Sequence, residues 1–283
     1  MTSANQNGAH QDEDFKEKGD KIGHHYSRFW SQPSAVADVE AYLRKYQHHQ
    51  YSPTHERPEK WIRGSSHFQR DNLNQEEILV ENEYAVILGN RSSFDTSQYP
   101  NEPGRAGMSF IHVLGLSKQQ IFNGVSLTRD NCGVIDDIIS LFESSWGRGD
   151  PNNPFRLKVI EHQRGTIQNH EAIAAKGHYA HLHHAARSLE PEHFNYGLHL
   201  WPEQSVGHLH IHIVARPWEM RQYSTFAHDA KTVDAREVRA FTMKNGPGYY
   251  GPAYKKALRA ETEAQKAYEE VQQARYQSSH HPS

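Results

Sequence analysis

Apolar and polar positions along the chain fall into short periodic stretches separated by Gly- and Pro-punctuated connectors. From Ser34 to Tyr46, Val36, Val39, Tyr42, Leu43 and Tyr46 recur at helical spacing behind a capping Ser34, which predicts a helix. Two prolines then make Gln47–Lys60 a connector. The run Ile78–Leu88 reads as two strands around a tight Glu-Asn turn, the second ending at Gly89-Asn90-Arg91. A polar, Pro- and Gly-containing loop over 92–106 leads to an apolar strand over Met108–Leu116 with His112 in its middle. Asn131–Trp146 carries Val134, Ile135, Ile138, Ile139, Phe142 and Trp146 on one helical face and stops at Gly147. Arg156–Arg164 reads as a further short strand, and Asn169–Leu189 as a helix weakened by Gly177 and ending before Pro191. Phe194–Trp201 alternates and leads through Pro202-Glu203 into another strand, so the two are expected to pair antiparallel and bring His199 near it.

That last strand has the most informative pattern in the chain. In Gln204-Ser205-Val206-Gly207-His208-Leu209-His210-Ile211-His212-Ile213-Val214, alternation puts His208, His210 and His212 on one surface and Leu209, Ile211 and Ile213 on the other. One face packs while three imidazoles line a site. Charged together they would repel, and with ordinary pKa values near ~6.5 at least two are expected to be neutral at neutral pH. A neutral imidazole can attack phosphorus or bind a metal. The pairs His24-His25, His48-His49, His183-His184 and His280-His281 have no such strand context and read as solvated.

Composition narrows the choice of partners. Of 283 residues 36% are hydrophobic, and the mean hydropathy is −0.88, low enough to predict solvated tails. The polar first 25 or so residues are expected to be disordered. Three segments follow: 1–54, a tail with a short helix and connector; 55–220, the domain that holds the histidine strand; and 221–283, a polar extension, helical from Ala253 to Gln277. A net charge of −3 disfavours a nucleic-acid polymer binder and leaves a small charged substrate open. The single Cys132 excludes an intramolecular disulfide framework and Cys-based zinc sites. No apolar run approaches the ~18 residues of a membrane span, and no secretory h-region is visible. An intracellular location, cytoplasmic or nuclear, is the expectation.

Gln204-Ser205-Val206-Gly207-His208-Leu209-His210-Ile211-His212-Ile213-Val214 resembles the signature of the histidine triad family of nucleotide hydrolases and transferases. The resemblance implies an α+β fold, an antiparallel sheet covered by helices, with many relatives pairing two sheets into a homodimer. It assigns the nucleophile to His210, orientation and phosphate contact to His208 and His212, and a hydrogen bond to a phosphate or bridging oxygen to Ser205. By the same comparison Asn90 falls at a ribose-contacting position, His112 at that of a further site histidine, and Gln204 beside the substrate. The Leu198-His199 step is similar to the scavenger mRNA-decapping branch. The implied substrates are nucleoside phosphoramidates, dinucleoside polyphosphates or cap-like dinucleotides, attacked at the α-phosphorus through a covalent nucleotidyl-histidine, with no metal or other cofactor required. Two other classes stay open from the residues alone. One is a divalent-metal site, since His-x-His on a strand binds such ions, although three alternating histidines span about 13 Å at ~3.3 Å per residue. The other is a nucleotide-binding module without turnover.

Overall fold

The computed structural model describes residues 19–32, 48–50, 60–62, 68, 72–90, 94, 100–101, 106–168, 173–249, 263, 266 and 270–271. Six of its strands form one antiparallel sheet, and two others, β1 (His48–Gln50) and β2 (Lys60–Ile62), pair separately as an antiparallel ribbon. The sheet contains β3 (Ile78–Glu81), β4 (Ala85–Gly89), β5 (His112–Ser117), β6 (Phe194–His199), β7 (His210–Ala215) and β8 (Thr232–Asp234), in the order β3-β4-β5-β7-β6-β8. The expected α+β class and antiparallel sheet are both present.

Local chemistry accounts for these elements. The β3–β4 turn is closed by Asn82, whose side-chain oxygen accepts the Tyr84 and Ala85 amides at 2.9 Å each. Strand β5 begins at His112, later than the apolar run suggests. The preceding residues bend away because the Ser109 hydroxyl donates to the Ala215 and Met220 carbonyls and the Phe110 amide donates to Met220.

Two sides of the sheet differ in content. Ile87, Val113, Ile211, Ile213, Tyr196 and Leu198 point to one side, into a large core. Helix α2 (Val134–Trp146) covers that side, burying Val134, Ile135, Ile138, Phe142 and Trp146. Its approach depends on Gly115, where a Cβ would overlap the Ile138 Cγ2 methyl. On the other side lie Ile78, Val86, Leu88, Leu114 and Leu116 as a smaller cluster, together with the histidines of β5, β6 and β7. Each strand therefore separates packing from chemistry by alternation alone.

Several expectations are corrected. Residues 154–168 form α3 (Pro154–Gln168) and not a short strand over 156–164. Arg156, Val159, Ile160 and Gln163 are buried at helical spacing, and the Asn153 side chain accepts the Phe155 and Arg156 amides at the start. The second helix is present as α4 (Ile173–Arg187). The expected disordered tail contains α1 (Gly19–Trp30), which buries Ile22, Tyr26, Phe29 and Trp30. It packs against the approach to the histidine strand, with His25 Nδ1 donating to the Trp201 carbonyl at 2.9 Å and the Phe29 ring 5.2 Å from Trp201.

Past residue 220 the chain still contributes to the sheet. After α5 (Trp218–Arg221) it supplies β8, which pairs with β6, and α6 (Ala235–Tyr249), capped by Asp234 through the Arg236 and Glu237 amides. The predicted boundary at 220 thus falls inside the sheet-bearing unit. Residues 263, 266 and 270–271 are helical, in line with the expected C-terminal helix. The helix expected over 34–46, and the remainder of the one over 253–277, lie outside the described residues. No helix among the described residues is long and apolar enough to cross a membrane.

Candidate functional site

His210 and His212 sit on β7 with their rings on the face away from α2, across from Leu116 and Leu114 of β5. Their ring centroids are 5.1 Å apart. His208 lies just before the strand begins, and its ring Nε2 donates to the Ser117 carbonyl at 2.8 Å. The His208 carbonyl in turn receives His210 Nδ1 at 2.7 Å. A carbonyl only accepts, so Nδ1 of His210 carries the proton and Nε2 the lone pair. The phenyl ring of Phe68 stands edge-on to His210 with centroids 5.0 Å apart.

A second chain of hydrogen bonds defines His212. The Met108 amide donates to His112 Nδ1 at 3.3 Å, and the Asn90 amide nitrogen lies 3.0 Å from the same atom. His112 is therefore protonated on Nε2, which donates to His212 Nδ1 at 3.0 Å. That leaves His212 with its proton on Nε2, a buried N–H with no acceptor among the described residues. One ring thus offers a lone pair and its neighbour a donor.

His199 joins the group from β6. Its ring centroid is 4.1 Å from that of His212, and its Nε2 donates to the Thr232 hydroxyl at 3.0 Å, which itself donates to the His228 carbonyl at 2.7 Å. His228 stacks on the outer side of His199, 5.4 Å between centroids. Burial disfavours the charged form of every ring in this stack for which a shift is resolved. It pushes His112 down to about 3, with the charges of His228 and Arg221 adding to the effect. His199 and His212 lie well below the usual histidine range for the same main reason. Of the three alternating histidines expected to be largely neutral, His212 is the one for which burial favours the uncharged ring.

The loop before β7 carries two further candidates. Gln204 is fully buried, yet neither atom of its side-chain amide has a hydrogen-bond partner among the described residues. An unsatisfied buried amide costs about 1–3 kcal/mol, which marks the place as one where a polar group belongs. Ser205 is exposed beside it.

The structure brings together His199, His210, His212, His112 and Asn90, and ties His208 to them through its backbone. Phe68 and His228 were not among the candidates read from the sequence. Neither lies in an alternating stretch, and each reaches the site only through tertiary packing. As to metals, no group of three or more His, Cys, Asp or Glu among the described residues is arranged to hold an ion. No family model, no curated protein and no solved structure matches the chain.

Proposed function

We propose that this protein is a nucleotide hydrolase or nucleotidyl transferase of the histidine triad type, acting at the α-phosphorus of a nucleoside phosphate through a covalent intermediate on His210. The observation that carries the reading is the 2.7 Å bond from His210 Nδ1 to the His208 carbonyl, which leaves Nε2 as the basic, nucleophilic nitrogen. Nε2 attacks phosphorus, and the bond to the leaving group breaks with its electron pair going to that group, which takes up a proton. The ring is now bonded to phosphorus at Nε2 and protonated at Nδ1, hence cationic, and the carbonyl dipole stabilises it. Water then attacks phosphorus and gives up to solvent a proton equal to the one the leaving group drew from solvent, the P–N bond returns its electrons to Nε2, and the nucleoside monophosphate departs.

The surroundings suit the remaining demands of this chemistry. The Nε2–H of His212, without an acceptor among the described residues, would be a preorganised donor for a non-bridging oxygen, where negative charge grows. Ser205 is accessible to a bridging oxygen. Asn90 is committed to His112, so its role in this reading is to orient the His112–His212 pair, with ribose contact secondary.

The test is incubation with labelled nucleoside phosphoramidate, dinucleoside polyphosphate and cap-like dinucleotide, followed by rapid quenching in alkali. The expected result is turnover of at least one class and an acid-labile, alkali-stable adduct mapping to His210. Absence of both product and adduct with all three would overturn the proposal.

A further inference from the structure

Phe68 stands in a turn between β2 and β3, and its half-buried side chain packs on the small apolar cluster of the histidine side, which contains Leu73, Leu88 and Leu116. Leu116 is the cross-strand neighbour of His210. The phenyl ring therefore closes the corner where the apolar half of this face meets its histidine half, and there it meets the His210 ring at 5.0 Å between centroids and an angle of 66°. The next imidazole along β7, that of His212, is inclined to His210 in much the same way, at 5.1 Å and 62°. His210 is thus packed against two rings while a carbonyl holds its Nδ1. These contacts differ in what they do. The hydrogen bond selects the tautomer and the edge of the ring that faces the strand. In competition with water such a bond favours its own geometry by only roughly 2- to 13-fold, too little to hold one rotamer by itself. His212, fixed in turn by His112, restrains the ring from along the strand. Phe68 restrains it from the side of the apolar cluster.

We infer that Phe68 is a positioning residue for His210: its ring, anchored in the apolar cluster, keeps the imidazole in the rotamer that aims Nε2 away from the His208 carbonyl, and limits the approach of water to it. This deepens the proposed function and rests on it for the reaction at Nε2, whereas the restraint on the ring stands apart from that reading. A reacting group displaced by about 1 Å loses on the order of 10²-fold in rate, so a ring that is merely held loosely is a poor nucleophile.

The test compares the full-length wild-type protein with Phe68→Ala, with Phe68→Leu, which keeps apolar bulk, and with Leu73→Ala, a truncation in the same cluster. Two readouts are taken: kcat and KM for the nucleotide class turned over fastest, and the rate at which the Cε1 hydrogen of each histidine exchanges with deuterated water, read by mass spectrometry without substrate. Phe68→Ala is expected to lose roughly 10- to 100-fold in kcat with KM within about threefold. It should also speed exchange at His210 by roughly fivefold or more, with His112 and His199 within about twofold. Phe68→Leu is expected to restore most of both, and Leu73→Ala to leave both near wild type. Unchanged exchange at His210 in Phe68→Ala, a loss confined to KM, or an equal effect of Leu73→Ala would overturn the inference and leave the proposed function standing. Faster exchange at His210 in Phe68→Ala, with no turnover of any of the three nucleotide classes by the wild type, would uphold the restraint and overturn the proposed function. Unchanged exchange without turnover would overturn both.

Discussion

His210 donates from Nδ1 to the backbone carbonyl of His208, two residues earlier on the same segment, at 2.7 Å. The orientation of one ring is thus fixed by main chain, which no side-chain substitution at residue 208 removes. His208→Ala should therefore weaken activity less than His210→Ala. We expect His210→Ala to abolish turnover, a loss of roughly 10⁴-fold or more, at a stability cost of about 1–2 kcal/mol. Steady-state kinetics beside urea unfolding of the two variants checks both statements.

Acid should destabilise the protein early. His112, His199 and His212 have folded-state pKa values below the unfolded value of ~6.5, so below that pH the unfolded chain binds more protons. Stability is fully present above about pH 7 and is lost as pH falls through ~6.5 and onward toward the folded values, about 3 for His112. Each histidine contributes up to about 1.4 kcal/mol per pH unit in that window. Unfolding free energies measured between pH 7.5 and 4.5 should show this slope, and His199→Asn should flatten it.

The His112 bond to His212 sets which nitrogen of His212 is protonated. In His112→Phe the shape is retained but this donor is lost, and His212 is free to take the other tautomer. We expect a 10- to 100-fold fall in kcat with KM little changed, and a stability cost of about 1–3 kcal/mol because the Met108 amide loses its acceptor. Nitrogen NMR shifts of the His212 ring would report the exchange of tautomers directly.

Gly115 admits the Ile138 methyl against the sheet. Gly115→Ala should cost about 1–3 kcal/mol by overpacking, and Ile138→Ala should be less harmful in that background than in the wild type. A double-mutant cycle by urea unfolding measures the coupling.

Arg156 is 1% exposed and donates to the Trp146 and Gly147 carbonyls at 2.7 Å and to that of Arg187 at 2.9 Å. It binds the end of α2 to the end of α4. Arg156→Met should destabilise by about 3 kcal/mol, and Arg156→Lys should rescue little because one ammonium cannot span the three acceptors. Thermal unfolding of both variants decides this.

What was readable in the sequence was whatever obeyed a two- or 3.6-residue period with apolar residues. The β3–β4 hairpin, α2 and the β6–β7 pair met that condition, and β7 also displayed its two catalytic candidates on one face. Helix α3 did not, because two of its four buried stripe positions are Arg156 and Gln163, which pair with carbonyls and other polar groups instead of filling a core. Helix α1 was hidden by its setting: four buried apolar residues, with His25 buried among them and not solvated, follow a long polar run. Strand β8 has three residues and a polar context, and becomes a strand only because β6 offers an edge. Phe68 and His228 join the site through such long-range packing, which no local pattern encodes.

The position of β7 in the strand order has a dynamic consequence. Flanked by β5 on one side and β6 on the other, it has no free edge, and its amides should be among the slowest in the molecule to exchange with deuterated water. The proposed nucleophile, His210, thus rides on a strand held on both sides, while Ser205 stands on a short connecting loop that could change without loosening the His210 ring.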